Sequence, residues 1–193
     1  MTRLIKPSRR TVIQSGLAGS AALALGPVGR ARAQAPAEVK VALIGPMSGP
    51  WARQGELMKK GGDLAIKHIN EQGGIKSLGG AKMKLVVLDA GDSAEKAKNA
   101  AQRLVSSETD VVAGTGAWLS SFTLAITEVT ERAELPWLTL SYSDQITSRG
   151  FKYSFQTSLV ASEMAAQTVP TALDMAEKAT GKRPKSMSII QDN

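Results

Sequence analysis

The sequence of 193 residues contains no cysteine and only one histidine, His68. Without cysteine the chain has no disulfide, no thiol nucleophile and no thiolate ligand for a metal ion. A single histidine cannot build an imidazole metal site, and no base is available for a serine nucleophile. His68 lies near Ile66 and Ile69 in a helical pattern, which predicts a partly buried histidine and not a ligand. We therefore expect a protein without metal or cofactor that is not an enzyme.

Acidic residues are missing from residues 1–33, and this absence locates the positive charge of the chain. The formal net charge is +7, and six of the 24 basic residues lie in that first segment. The rest of the chain carries 18 basic and 17 acidic residues, so it is nearly neutral. This balance excludes nucleic acid as an expected partner of the main body.

Residues 1–33 have the pattern of an export signal. Arg9-Arg10 precede an apolar stretch from Val12 to Val28, and Ala31-Arg32-Ala33 is a cleavage pattern before Gln34. Glycine and proline interrupt the apolar stretch, which favours a cleaved signal over a membrane anchor. We expect cleavage after Ala33 and delivery to the periplasm. The arginine pair resembles a twin-arginine signal, and general secretion is the alternative.

Beyond residue 37, apolar strand-like runs alternate with helical patterns. Strands are predicted at Val39–Ile44, Met83–Leu88, Val111–Ala113, Pro136–Leu140, Tyr153–Thr157 and Ser186–Ile190. This alternation predicts an α/β fold with a parallel, doubly wound sheet.

The helices between these strands are predicted from apolar faces and caps. The first presents an apolar face formed by Leu57, Gly61, Leu64, Ala65 and Ile69. It should end near Asn70 because Gly73-Gly74 follow, and Asp92–Glu95 is a capping box for the second helix. A third helix reaches Ala133, and Ser162–Thr180 forms another that Pro170 is expected to kink.

Three loops rich in glycine, serine or aromatic residues follow the carboxyl ends of predicted strands. They are Gly45–Gln54, Gly114–Ser121 and Ser141–Thr147. Ligands of open parallel sheets bind beyond this edge. The connections at the opposite edge, such as Ser77–Ala81 and Ser107–Thr109, do not combine glycine or serine with an aromatic residue. The sequence therefore predicts a ligand site here.

The residue types in these loops indicate recognition rather than catalysis. Ser120 and Ser121 begin a helix, where backbone N–H groups and hydroxyls favour a carboxylate, although serines there also serve as caps. Trp118 and Trp51 are expected either to form a pocket wall or to fill a gap between loops.

The polar loop Ser141–Thr147 offers groups of a different kind. Ser141, Tyr142 and Ser143 could accept from an ammonium group, and Asp144 could pair with it or serve as a turn cap.

An enzyme is the least favoured reading of the glycine-rich loop. Gly114 and Gly116 match part of a dinucleotide-binding turn, but Leu119 stands at the third glycine position. The chain has no nucleophile elbow, P-loop or carboxylate pair at catalytic spacing.

Five short segments, in order and at family spacing, carry a resemblance across nearly all of residues 39–193. They are Val-Lys-Val-Ala-Leu-Ile-Gly-Pro-Met-Ser-Gly-Pro (39–50), Ile-Asn-Glu-Gln-Gly-Gly-Ile (69–75), Leu-Asp-Ala-Gly-Asp-Ser (88–93), Leu-Ser-Ser (119–121) and Ile-Thr-Ser-Arg-Gly-Phe (146–151). With these motifs the chain resembles the periplasmic solute-binding proteins of branched-chain amino-acid ABC transporters, the Leu/Ile/Val-binding type.

The resemblance implies two α/β lobes, a ligand in the cleft between them and a membrane permease as partner. It implies that Ser120 and Ser121 hold the ligand carboxylate and that Ser141, Tyr142 and Ser143 face the ammonium group. The Met47–Trp51 loop, with Ser48, would line the side-chain pocket. The chain departs from the family at Gln54, where leucine-binding members have an aromatic residue, and at Thr-Leu-Ser-Tyr-Ser (139–143).

The resemblance also implies a domain organisation. Residues 34–157 correspond to the first lobe, and residues 158–193 to a crossover and the start of a truncated second lobe. We expect a solute-binding protein for a branched-chain amino acid or a similar small carboxylate or amide. The alternatives are a ligand-sensing receptor domain of the same fold and a non-functional fragment.

Overall fold

The computed structural model describes residues 37–186 and 188, in which strands and helices alternate as predicted. The strands are β1 (Glu38–Gly45), β2 (Lys82–Asp89), β3 (Val111–Gly116), β4 (Trp137–Thr139) and β5 (Ser154–Gln156). The helices are α1 (Ala52–Glu71), α2 (Ala94–Ser107), α3 (Ser120–Arg132), α4 (Gln145–Ser148) and α5 (Ala161–Thr180), with a 3-10 turn at Lys76–Leu78. The predicted export signal, and most of the strand predicted at residues 186–190, lie outside the described residues.

All five strands are parallel and lie in the order β2-β1-β3-β4-β5. Right-handed crossovers in this order place α1 on one face of the sheet and α2 and α3 on the other. Side chains of β1 confirm this, because Ala42 and Ile44 pack in one core cluster with residues of α2 and α3, whereas Leu43 lies outside that cluster. The predicted parallel, doubly wound sheet is therefore confirmed.

The main core lies between the sheet and the pair α2 and α3. Small residues on α2, namely Ala97, Ala100 and Ala101, are fully buried and bring this helix close to the sheet. Trp137 of β4 is also fully buried and lies over Gly114 of β3, where a Cβ atom would come within 2.2 Å of the indole ring. Gly114 is therefore a packing residue rather than part of a phosphate-binding turn.

The prediction that the apolar face of α1 is buried is wrong. Leu57 and Leu64 are 57% and 54% exposed, and His68, expected to be partly buried, is exposed as well. The buried residue of α1 is Gly55, where a Cβ atom would lie 2.1 Å from the carbonyl oxygen of Pro46. This close approach of helix to backbone sets the rotation of α1.

The N-cap of α2 lies one residue later than the sequence pattern predicts. The hydroxyl of Ser93, not the carboxylate of Asp92, accepts the hydrogen bond from the backbone N–H of Lys96, at 3.2 Å. Asp92 instead accepts from Nζ of Lys96 at 2.8 Å. The capping-box prediction is corrected in this respect, although the start of the helix is close to the predicted one.

The segment after β4, predicted as a polar loop, contains the short helix α4. Its first turn is closed by the N–H of Ile146 donating to the carbonyl of Ser143 at 3.1 Å, and Ile146 is fully buried. The polar residues around Ile146 suggested an irregular loop. The buried side chain of Ile146 instead fixes this segment as a short helix.

Helix α5 contains Pro170 and runs unbroken from Ala161 to Thr180. None of its residues is buried. The sheet face that carries α1 is also uncovered over β3 to β5, where Leu138, Leu140 and Phe155 are between 42% and 68% exposed. Among the helices that the structure describes, none is long and apolar enough to cross a membrane.

Candidate functional site

The loops after β1, β3 and β4 lie at the same edge of the sheet, as predicted, because these strands are parallel. The N–H of Ala117, after β3, donates to the carbonyl of Ile44 in β1 at 2.7 Å. The indole of Trp51 meets the ring of Phe122 in α3 edge-on, with ring centroids 6.0 Å apart. These contacts join the loops into one continuous edge of the sheet.

The connection from β3 to α3 passes through three successive residues with positive φ. The φ angles are 123° at Gly116, 79° at Ala117 and 48° at Trp118. Only glycine adopts this region without steric cost, so Ala117 and Trp118 store strain of about 1–3 kcal/mol each. We call these three residues the left-handed turn. It delivers the chain directly into the first turn of α3.

Ser120 and Ser121 form the first turn of α3, as predicted. The residue at the N-cap position is Leu119, which has no side-chain cap, and neither serine supplies one. In the described part of the chain, the backbone N–H groups of Ser120 and Ser121 have no hydrogen-bond acceptor. Unpaired N–H groups at the positive end of a helix dipole favour an anionic group such as a carboxylate.

The Ser120 hydroxyl links the helix start to the loop after β4. It accepts a hydrogen bond from the backbone N–H of Ser143 at 3.2 Å. The structure therefore brings Ser120 and Ser143 together, while Ser121 is exposed beside them.

Ser141 lies behind this surface rather than on it, contrary to the expectation that it faces a ligand. Its side chain is buried, and its hydroxyl contacts Oγ1 of Thr123 at 2.7 Å and the carbonyl oxygen of Trp118 at 3.0 Å. Its own carbonyl accepts from Gln156 at 2.7 Å and from Ser158 at 3.1 Å. No polar group of Ser141 is left for an ammonium ion.

The side chain of Tyr142 is free to contact a ligand, whereas the carboxylate of Asp144 is already hydrogen-bonded. Tyr142 is 53% exposed, and its carbonyl accepts from the N–H of Ala161 at 2.7 Å. The carboxylate of Asp144 accepts from the hydroxyl and the backbone N–H of Ser162 in the first turn of α5. The Ser162 hydroxyl lowers the pKa of Asp144. Asp144 therefore helps to fix the start of α5; it supplies no side-chain cap at α4, so the predicted turn cap is not observed.

The two loop tryptophans also take different roles. Trp118 is 44% exposed and lines a small cavity of about 80 Å³ with Met58, Thr115 and Leu140. Trp51 is half-buried against Phe122 and packs against the main core, so it fills the gap between its loop and α3.

Ser48 lies apart from the serine pair. Its hydroxyl donates to Asp89, at the end of β2, at 2.6 Å. Both residues line a polar depression of about 230 Å³ that contains none of the other predicted site residues; its remaining walls are Gly91, Lys96, Asn99 and Arg103. Asp89 was not among the predicted site residues, although an acidic residue that ends an apolar strand two positions before a glycine is a recognisable signal.

Asp89 fixes the first loop to the end of β2. Besides Ser48, its carboxylate accepts from the backbone N–H groups of Met47 at 2.9 Å and Gly91 at 2.7 Å. Partial burial acts to raise the pKa of Asp89, but these hydrogen bonds outweigh it and hold the pKa below its ordinary value. Asp89 therefore stabilises the loop as a carboxylate.

Arg149, in the motif after α4, fixes α3 from its outer side. Its guanidinium donates to the carbonyl of Leu124 at 3.1 Å and to the hydroxyl of Thr127, and it lies 4.2 Å from the ring centroid of Phe151. This cation–π contact and the hydrogen bonds explain why arginine and an aromatic residue stand at these positions.

A doubly wound sheet whose strand ends carry joined loops and an anion-favouring helix start is the architecture of a small-molecule binding lobe. A family model described as "Periplasmic binding protein" matches residues 38–191. The chain therefore belongs to the periplasmic binding protein family, a family of substrate-binding proteins rather than enzymes.

The chain is similar to a curated protein of Brucella abortus named "Leu/Ile/Val-binding protein homolog 8". The two are 34% identical over 156 residues, which is 79% of this chain and 37% of that protein. The chain thus spans little more than a third of the length of this relative.

Two solved structures show the same fold. An ABC transporter substrate-binding protein from Desulfitobacterium hafniense, in complex with Leu, has 26% identity and a TM-score of 0.62, covering 72% of this chain and 39% of that one. A solute-binding protein of an ABC transporter from R. palustris, in complex with 4-hydroxybenzoate, has 26% identity and a TM-score of 0.58, covering 74% and 36%. This confirms the resemblance that the sequence motifs indicated.

Proposed function

We propose that the chain is the first lobe of an extracytoplasmic solute-binding protein that captures a branched-chain amino acid, or a similar small carboxylate, for an ABC transporter. Family membership and the ligands bound in the similar structures support this proposal. Export by residues 1–33, with cleavage after Ala33, and delivery of the ligand to a membrane permease belong to the same proposal.

The observation that carries the proposal is the pair of unpaired N–H groups at Ser120 and Ser121. A ligand carboxylate would accept from these groups and from the exposed Ser121 hydroxyl. The apolar cavity at Trp118 and Leu140 lies beside this turn and would receive part of the ligand's apolar body. Leucine and 4-hydroxybenzoate share a carboxylate and a largely apolar body, so one such site suits these parts of both.

Leucine carries an ammonium group and 4-hydroxybenzoate does not. Among the described residues at this edge, the carboxylates of Asp144 and Asp89 already have hydrogen-bond partners. Asp144 is committed to α5 and Asp89 to the first loop. We propose that residues of a second lobe, in a longer protein, supply the missing contact and close over the ligand. The first lobe alone is therefore expected to bind weakly and to discriminate mainly by the carboxylate.

The proposed boundary between the lobes lies at residues 157 and 158. Support comes from α5, which follows this point and has no buried residue. Gln156 and Ser158 both donate to the Ser141 carbonyl, so the exit from the lobe is attached directly behind the site.

The test is a calorimetric and NMR titration of the 193-residue chain with L-leucine, 4-hydroxybenzoate and L-leucinamide, in which an amide replaces the carboxylate. We expect millimolar binding of the two carboxylates and much weaker binding of leucinamide. The double variant Ser120→Ala/Ser121→Gly, in a comparably folded chain, removes both hydroxyls but not the N–H groups, so it should weaken leucine binding without abolishing it. Equal binding of leucine and leucinamide would overturn the carboxylate assignment.

A further inference from the structure

Three buried hydroxyl groups lie between α3 and the end of β4. They belong to Thr123, Thr139 and Ser141, which are at most 1% exposed, and we call them the hydroxyl triad. Oγ1 of Thr123 lies 2.7 Å from Oγ of Ser141 and 3.2 Å from Oγ1 of Thr139, and the last two atoms are 3.1 Å apart. The three oxygen atoms thus contact one another in the interior of the lobe.

The protons of the triad can be assigned so that every hydroxyl has a partner. The Ser141 hydroxyl donates to the carbonyl of Trp118 at 3.0 Å, and the Thr139 hydroxyl donates to the carbonyl of Gly116 at 3.3 Å. The Thr123 hydroxyl then donates to Ser141, and the backbone N–H of Ser141 donates to Thr139 at 3.1 Å. Both outgoing hydrogen bonds end on carbonyls of the left-handed turn.

The left-handed turn needs such support. Two consecutive non-glycine residues with positive φ persist only where surrounding contacts over-determine the backbone. The triad donates hydrogen bonds to the carbonyls of Gly116 and Trp118, on either side of Ala117. The N–H of Ala117 itself donates to the carbonyl of Ile44 in β1. The turn is thereby fixed from β1 and from β4.

We propose that Thr123 and Ser141 are positioning residues for ligand binding. They hold the left-handed turn and so set where the unpaired N–H groups of Ser120 and Ser121 point. This inference rests on the proposed carboxylate site. A binding group must be held within about 0.5 Å of its productive position, and the first turn of α3 follows the left-handed turn directly.

Thr127 provides a matched control on the same helix. It is as buried as Thr123, and its hydroxyl is also hydrogen-bonded, to the carbonyl of Thr123 at 2.6 Å and to Arg149. It does not contact the left-handed turn. Thr127→Val therefore removes a buried, bonded hydroxyl without touching the turn.

The experiment compares Thr123→Val and Ser141→Ala with Thr127→Val in the 193-residue chain. Each variant is measured by urea unfolding, by NMR titration with L-leucine, and by hydrogen exchange at Ala117 and Leu119. We expect all three to lose stability to a similar degree. The two triad variants should bind leucine about tenfold more weakly and exchange faster at the turn, whereas Thr127→Val should keep near-normal affinity.

Two outcomes separate this inference from the proposed function. If the unmodified chain binds leucine but triad and control variants lose affinity equally, the positioning role is overturned and the carboxylate site stands. If the unmodified chain binds no leucine, the proposed function and the role in ligand binding both fail, and faster exchange at Ala117 in the triad variants would still show that the triad holds the turn. Equal exchange at Ala117 in Ser141→Ala and Thr127→Val would show that the triad does not hold the turn.

Discussion

The hydroxyl of Ser120 accepts a hydrogen bond from the backbone N–H of Ser143, 23 positions later in the chain. This hydrogen bond links the start of α3 to the loop after β4, which are the two segments that carry the candidate site residues Ser120, Ser121, Tyr142 and Ser143. Ser121, next in sequence, makes no such contact. The two adjacent serines therefore have separable roles.

This separation can be tested with single variants. Ser120→Ala removes the acceptor of the Ser143 N–H and should lower the free energy of unfolding by about 1 kcal/mol. Ser121→Ala should leave stability nearly unchanged. Urea unfolding of both variants is the measurement, and equal stability of the two would show that the link between the loops contributes nothing.

Two glycines of α1 are expected to respond in opposite directions to alanine. At Gly55 a Cβ atom would meet the Pro46 carbonyl oxygen at 2.1 Å, so Gly55→Ala should cost about 2 kcal/mol or more. At Gly61 an added Cβ atom would have no neighbour within 4 Å outside its own helix backbone. Gly61→Ala should therefore raise the free energy of unfolding by about 0.5–1 kcal/mol through helix propensity. Thermal unfolding of both variants checks the rotation of α1. Destabilisation by Gly61→Ala would favour the face predicted from the apolar residues.

The strands were predictable from the sequence because each apolar run is continuous and bounded by turn residues, whereas their order in the sheet was not predicted. The rotation of α1 was not predictable, because it depends on the close approach of Gly55 to Pro46, while Leu57 and Leu64 suggested another face. Hydrophobic periodicity shows which residues of a helix are apolar, but it does not show which of them pack against the rest of the protein.

The site was predictable only in part, for a related reason. Ser120 and Ser121 stand at a helix start that local pattern reveals. The role of Thr123 depends on Thr139 and Ser141, 16 and 18 residues away, so no local pattern indicates it. For the same reason Ser141 was expected on the surface, although it is buried.

Substitutions at Ser93 and Asp92 test which of these two residues caps α2. Ser93→Ala removes the hydroxyl that accepts from the Lys96 N–H and should cost about 1 kcal/mol. Asp92→Ala removes only an exposed pair with Lys96 and should cost much less. Chemical denaturation gives both values, and a larger cost for Asp92→Ala would restore Asp92 as the cap.

The carboxylate of Asp89 should make stability depend on pH in the acid range. Its pKa in the folded chain is lowered, so its contribution is fully present above the unfolded value of about 3.9 and is lost as the pH falls through the folded pKa. Asp89→Asn should therefore be less stable than the parent at neutral pH, and the difference should shrink below about pH 4.

Urea unfolding across the acid range measures this effect, with Ser48→Ala as a graded control. Ser48→Ala removes one of the hydrogen bonds that lower the Asp89 pKa, so its pH dependence should lie between those of the parent and Asp89→Asn. A parent and an Asp89→Asn variant with parallel pH profiles would contradict the assigned role.

We propose above that the first turn of α3 binds the carboxylate of a small ligand. The most direct measurement is a map of backbone amide shifts in the 193-residue chain during titration with L-leucine. The saturating changes should be largest at Ser120 and Ser121, extend to Ser143, and be much reduced with L-leucinamide. Changes centred instead on the depression at Asn99 and Arg103, or none at these serines at saturating leucine, would contradict it.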